Sequence, residues 1–140
     1  MKIKRLSPLA IVPQYKTPGS AGMDLVSIEL REILPGSTKG ISIGWAFEIP
    51  NGFEGQVRTR SSYALQGLVV ANSPGTIDSD YRGEVKVILR NCTQDSIRVR
   101  LGDRIAQLVI TALHRATPEE CDTLSVTGRG CGGFGSTGAR

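Results

Sequence analysis

The sequence predicts an all-β domain with one short helix, built as an antiparallel barrel or sandwich. Three observations carry that reading. Turn signals recur along the whole chain: Pro18-Gly19-Ser20, Pro35-Gly36, Pro50-Asn51-Gly52, Ser73-Pro74-Gly75 and Leu101-Gly102-Asp103. The runs between them alternate apolar and polar residues with period two, the spacing of a half-buried strand. Finally, 140 residues with 17 glycines and few aromatics suit one β-rich core with many tight connections.

Taken in order, the N-terminal MKIKRLSPLAIVP is basic and then briefly apolar, and Pro8 and Pro13 interrupt it. It is too short and broken for a signal or membrane segment. Ile41, Ile43, Trp45, Phe47 and Ile49 keep period two and predict a strand. Ser61 to Gln66 is the one plausible helix, about two turns capped by a Ser and ended by Gly67. Leu68-Val69-Val70 and Val85 to Leu89 read as strands flanking a polar turn. Ile97, Val99 and Leu101 alternate again, and Ile105 to Leu113 reads as a fully buried strand. Pro118-Glu119-Glu120 offers a further helical turn. From Thr127 the composition changes to TGRGCGGFGSTGAR, which cannot form a core and is expected to be mobile when free. The expected organisation is therefore a β domain over 1–126 and a flexible arm over 127–140.

Bulk chemistry narrows the function classes. The net charge of +4 is a mild excess, and the basic residues are dispersed with too few aromatics for a nucleic-acid stacking platform. Arg supplies 12 of the 17 basic residues, a fork of donors suited to phosphate oxygens, although most read as ordinary surface. Cys92, Cys121 and Cys131 have no metal-ligand spacing, and their odd number predicts reduced thiols and a cytoplasmic location. His114 is the only histidine, which disfavours a His-based metal site or triad.

The stretch GTIDSDYRG, 75–83, is the most informative. It sets Asp78 and Asp80 in a polar turn between apolar strands. A carboxylate held at a strand end can act as a general base toward water. Asp and Ser also favour turns for purely local reasons. Arg60-Ser61-Ser62 stands where a strand gives way to the helix and suits an anion, or is only a cap beside a surface Arg. Gln107 is an amide in an apolar run and needs a partner, either a ligand or a neighbouring backbone group. Asp24 beside Gly22 suits a hydrated cation or the closure of a turn. In the tail, Arg129 supplies charge, Ser136 and Thr137 supply hydroxyls, and Phe134 supplies a face for a base. Together these groups suit a nucleoside triphosphate and water.

Five motifs in order, AGMDL at 21–25, RSS at 60–62, GTIDSDYRGE at 75–84, GDRIAQLV at 102–109 and RGCGGFGSTG at 129–138, make the chain resemble the trimeric all-β deoxyuridine triphosphatases over nearly its whole length. The resemblance implies a distorted jelly-roll homotrimer whose glycine-rich tail closes, as a lid, over a site formed by the other two subunits. It implies hydrolysis of dUTP to dUMP and pyrophosphate by in-line attack of water on the α-phosphorus, with Mg²⁺ as cofactor. That reaction limits uracil incorporation into DNA and supplies dUMP for thymidylate synthesis. Carried over by resemblance, Asp78 activates the water and Tyr81 packs on the deoxyribose. Asn72, Gly75, Thr76 and Ile77 lie in the hairpin that reads uracil, and Lys86 follows on the next strand as a substrate contact. Arg60, Ser61, Ser62 and Gln107 contact phosphates, and Asp24 reaches Mg²⁺ through water. Phe134 covers the uracil, while Arg129, Gly135, Ser136 and Thr137 lie about the terminal phosphate.

Three positions depart from the family pattern. Thr59-Arg60-Ser61-Ser62 replaces Pro-Arg-Ser-Gly, Gly44-Trp45 stands where smaller residues are common, and Cys131 fills a variable slot. Two rivals share the fold: a deoxycytidine triphosphate deaminase and a non-catalytic regulatory module. The first needs a Glu near Ile88, where an aliphatic cannot shuttle a proton. The second is disfavoured because nothing that catalysis requires is missing. No membrane or nucleic-acid partner is expected.

Overall fold

The computed structural model describes residues 1–136 and 138. It contains eleven strands and one helix: β1 (Lys2–Arg5), β2 (Met23–Val26), β3 (Arg31–Ile33), β4 (Thr38–Ser42), β5 (Trp45–Glu48), β6 (Phe53–Arg58), α1 (Ser61–Leu65), β7 (Leu68–Val70), β8 (Gly75–Ile77), β9 (Lys86–Asn91), β10 (Ile97–Val99) and β11 (Arg104–Ala112). The all-β class with one short helix, arranged as a distorted jelly roll, is as expected.

Two sheets organise the site. In the first, β11 lies between β2 and β6, and β8 pairs with the far edge of β6. In the second, β9 lies between β4 and β7. Two-stranded ribbons, β1 with β5 and β3 with β10, close the flanks. All pairings are antiparallel, so side chains on one face of each strand converge on a single core. Leu25, Ile33, Ile41, Phe47, Leu68, Val87, Leu89, Ile105 and Leu108 fill it. On β9 the alternation holds throughout: Val87, Leu89 and Asn91 point inward while Lys86, Ile88 and Arg90 point out.

Several expectations change. The run Ile41 to Ile49 is not one strand. Gly44 takes φ = +72° and breaks it into β4 and β5, which belong to different sheets. A side chain at Gly44 would meet the Ala10 Cβ at 2.9 Å and the Ser7 Cβ at 3.0 Å. The kink thus seats the N-terminal segment, and the Leu6 N–H donates to the Gly44 carbonyl at 2.9 Å. Trp45 is buried there, donates from Nε1 to the Ile11 carbonyl at 2.9 Å and carries the Arg5 guanidinium 4.5 Å from its ring centroid.

The polar turn after β7 contains a strand of its own, β8, paired with β6. Leu101 belongs to the exposed turn after β10, not to the strand. In β11 only the first half is buried, at Ile105, Ala106 and Leu108, while Ile110 is half-covered and Leu113 exposed. No serine caps α1. Arg60 is its N-cap, in extended conformation and without a side-chain cap bond, and Gly67 at φ = +73° ends it. Pro118 to Glu120 form no helical turn. From Leu113 to Cys131 every residue is exposed. Cys92, Cys121 and Cys131 are exposed free thiols. No described helix is long and apolar enough to cross a membrane.

Candidate functional site

Apart from those of the tail, the expected site residues fall into two separate clefts. The first, about 610 Å³, is lined by Asn72, Gly75, Thr76, Ile77, Asp78, Tyr81 and Lys86. Strand β8 sets its floor, because pairing Gly75, Thr76 and Ile77 against Val57, Gln56 and Gly55 fixes the direction in which the chain leaves at Asp78. Gly75 lets the Asn72 amide lie over it, since a Cβ there would stand 3.0 Å from Asn72 Nδ2.

The loop beyond Asp78 is stitched to itself. The Tyr81 N–H donates to the Asp78 carbonyl at 3.2 Å, and the Tyr81 hydroxyl donates to the Glu84 carbonyl at 3.1 Å. The Tyr81 ring rests against Gly83, where no side chain intervenes. Asp78 is exposed and joins no ion pair among the described residues, so its carboxylate can accept a proton from a bound water.

Val57, Glu84 and Ile88 also line this cleft and were not singled out as site residues. Ile88 presents an aliphatic wall on the outer face of β9. Glu84 Oε2 lies 3.8 Å from Lys86 Nζ, and its Oε1 accepts weakly from the Gly44 N–H at 3.4 Å.

The second cleft, about 350 Å³, holds Asp24, Arg60, Ser61, Ser62 and Gln107. Strands β2 and β6 flank β11 here, and register sets Gln107 opposite both Asp24 and Arg58. Asp24 is buried on β2, and both of its carboxylate oxygens face guanidiniums. Its Oδ1 lies 3.2 Å from Arg60 Nε, and its Oδ2 accepts from Arg104 Nη1 at 3.0 Å. Arg60 also donates from Nη1 to the Arg104 carbonyl at 2.8 Å, tying the start of α1 to the start of β11.

Gln107 Nε2 reaches the Thr59 carbonyl only at 3.5 Å, so its amide is weakly engaged. Gly22 leaves space for that side chain, since a Cβ there would approach Gln107 Oε1 to 3.0 Å. Ser62, in place of the usual glycine, is exposed within α1 and faces this cleft. Lys16, Arg58 and Arg104 add positive charge that the sequence reading had not assigned. Arg104 lies inside the GDRIAQLV motif, and the two successive apolar residues after it, Ile105-Ala106, break period two.

Burial raises the phenol of Tyr63 on α1 above its ordinary range, and the Asp103 carboxylate adds to the effect. The Arg60 guanidinium acts in the opposite sense without reversing it.

The described tail residues Arg129, Phe134, Gly135 and Ser136 line neither cleft. Phe134 is fully exposed at φ = +48°, and Arg129 donates from Nε to the Gly132 carbonyl at 2.7 Å. Ser136 donates its N–H to the Gly133 carbonyl at 3.0 Å, and Gly135 sits at φ = +91°. Thr137 lies outside the described residues.

The dUTPase family model matches residues 9–138. The chain is 50% identical over 139 residues to the deoxyuridine 5'-triphosphate nucleotidohydrolase of Helicobacter pylori (strain Shi470), covering 99% of this chain and 96% of that protein. The protein of the same name from Nautilia profundicola is also 50% identical, with 99% and 98% covered. Among solved structures, the Staphylococcus bacteriophage 80alpha dUTPase with dUPNHPP superposes with a TM-score of 0.92 at 28% identity, covering 99% of this chain and 98% of that one.

Proposed function

The chain belongs to the dUTPase family, and from that premise we propose that it hydrolyses dUTP to dUMP and pyrophosphate, water attacking the α-phosphorus in line. The observation that carries this reading is the division of labour between the clefts. One offers backbone groups, a tyrosine face and a carboxylate without a cationic partner among the described residues, while the other offers guanidiniums, hydroxyls and an amide. Those two chemistries match the two ends of one deoxynucleoside triphosphate.

At the base end, backbone groups between Asn72 and Ile77 pair with the uracil edge and leave no room for a 5-methyl group. Such a site rejects a wrong base strongly, because its polar groups would remain unpaired. Tyr81, held by the Glu84 carbonyl, closes the space beside C2′. Asp78 accepts a proton from the attacking water, and its place at the end of β8 fixes the line of attack. Lys86 stands beside the same cleft as a substrate contact.

At the phosphate end, Arg60, Ser61, Ser62 and Gln107 hold the triphosphate and offset the charge that develops on the leaving pyrophosphate. The donor set fits Mg²⁺ carried by the triphosphate and not one bound directly by protein. No three metal-ligating side chains cluster among the described residues, and both Asp24 oxygens already face guanidiniums. Each keeps a lone pair through which a water of the metal can be held. When bound, the ion neutralises charge on the leaving group.

The clefts also argue for an assembly. Val57 lines the first and Arg58 the second, and successive strand residues point to opposite faces. One nucleotide therefore takes its base cleft from one copy and its phosphate cleft from another. This supports sites shared between copies, as in the homotrimer that the resemblance implies. Residues 127–140 act as the lid, with Phe134 on the uracil and Arg129, Gly135, Ser136 and Thr137 about the terminal phosphate.

The test is pyrophosphate release from dUTP, dCTP, dTTP and UTP with Mg²⁺, identifying the product bases. Release from dUTP alone, giving dUMP, is expected. A uracil nucleotide formed from dCTP, or no turnover of dUTP by the folded assembly, overturns the reading.

A further inference from the structure

Arg104 opens β11, and Gln107 lies three residues further along the same strand. In a regular strand, residues three apart point to opposite faces. Both line the phosphate cleft. The register explains why: Ala106 pairs with Leu25, yet Arg104 and not Ile105 pairs with Val26. That shift is a bulge. It inserts one residue, leaves Ile105 and Ala106 both fully buried, and turns Arg104 onto the side of Gln107. Bulges at such positions re-aim side chains beside active sites.

The re-aimed guanidinium is steadied but not used up. Arg104 donates from Nη1 to Asp24 Oδ2, and its side chain makes no other hydrogen bond among the described residues. A guanidinium has five N–H donors, so four remain. Its side chain is 47% exposed, against 22% for Arg60, which shares the same carboxylate, and both line the cleft. Among the described residues that line this cleft, Lys16, Arg58, Arg60 and Arg104 stand with one carboxylate, Asp24, an excess of three positive charges. That excess suits a pyrophosphate group better than a monophosphate.

We propose that Arg104 is a substrate-binding residue that holds the β- and γ-phosphates, aimed by the bulge and positioned by Asp24. This rests on the dUTP reading above and gives a role to a residue of the GDRIAQLV motif to which the resemblance assigned none.

Calorimetric titration of the assembled full-length protein tests it, with a non-hydrolysable dUTP analogue, dUMP and inorganic triphosphate as probes. For Arg104→Met, the analogue and triphosphate should bind about tenfold to a hundredfold more weakly, the scale of a lost charge-assisted pair. Binding of dUMP should stay within about twofold of wild type, since its phosphate does not need this residue. Arg104→Lys keeps an ion pair with Asp24 but cannot fork. It should show an intermediate loss for the same two probes and serves as the test if the Met variant does not fold. Equal weakening of dUMP and the analogue would reduce Arg104 to a scaffold of Asp24, and unchanged binding of all three would remove it from the site. In either case, a wild type that still turns over dUTP separates failure of this assignment from failure of the proposed activity.

Discussion

Gly83 is the position where a single methyl group should displace the Tyr81 ring, the proposed wall beside the sugar. A Cβ built there stands 2.6 Å from Tyr81 Cζ and 3.0 Å from Cε2, with the hydroxyl nearer still. Ordinary carbon contacts lie near 3.5 Å, so in Gly83→Ala the ring must retreat by roughly 1 Å. Gly83 has no left-handed backbone that alanine would strain, and the three atoms nearest the added Cβ all belong to the Tyr81 ring and hydroxyl. Tyr81 is 46% exposed, and its hydroxyl makes one bond, to the Glu84 carbonyl. The stability cost is therefore about 1 kcal/mol or less. The functional cost is larger, because a misplacement of roughly 1 Å at a reacting centre lowers rates by up to about a hundredfold. The assay is kcat/KM for dUTP and for UTP, with Tyr81→Ala measured alongside. Gly83→Ala should lose activity toward dUTP and lose preference over UTP, following Tyr81→Ala, at nearly unchanged Tm. A Gly83→Ala enzyme that keeps both its dUTP rate and its preference would refute Tyr81 as the wall against a 2′-hydroxyl.

Four other outcomes follow from the same geometry. Asp78→Asn should lower kcat by about a hundredfold to ten-thousandfold with little change in nucleotide affinity, and near-normal single-turnover rates would remove Asp78 as the base. Deleting Arg129 to Arg140 should abolish turnover while leaving the assembly's mass in light scattering unchanged except for the missing residues, whereas dissociation to monomers would make the tail structural. Gly55→Ala would place a Cβ 2.8 Å from Ile49 Cδ1 and 3.1 Å from Leu108 Cδ1, an overpacking worth about 1–3 kcal/mol. An unchanged urea midpoint would contradict that packing. The raised pKa of Tyr63 means the folded chain holds the phenolic proton more tightly than the unfolded one. Its contribution is fully present below pH 10.0 and is lost as pH rises through the folded value. Thermal unfolding of Tyr63→Phe should consequently decline less steeply above that pH than wild type, and identical slopes would contradict the shift.

What the sequence disclosed, and what it hid, divides on one physical distinction. Strand β9 is legible because one sheet covers it from end to end, so Lys86 to Asn91 alternate outward and inward without interruption. The run Ile41 to Ile49 alternates just as well, yet it serves two sheets, and only Gly44 betrays the corner between them. Period two records which side chains are buried, not which sheet buries them. The phosphate cleft was half legible for a related reason. Arg60, Ser61 and Gln107 were identified by residue type and motif, but strict alternation sends Arg104 to the opposite face from Gln107. A bulge is a fact of pairing between strands distant in the chain, and no local pattern states it. The run from Ile105 to Leu113 carries the converse lesson. Its apolar character continues past Leu108, while burial within one chain fades at Ile110 and ends at Leu113. The same excess recurs at Leu124 and Val126, apolar side chains in a segment that buries none of them. Apolar pattern in excess of single-chain burial accords with an assembly in which other copies cover these surfaces. The proposed sharing of one nucleotide between the clefts at Val57 and Arg58 calls for the same covering copies.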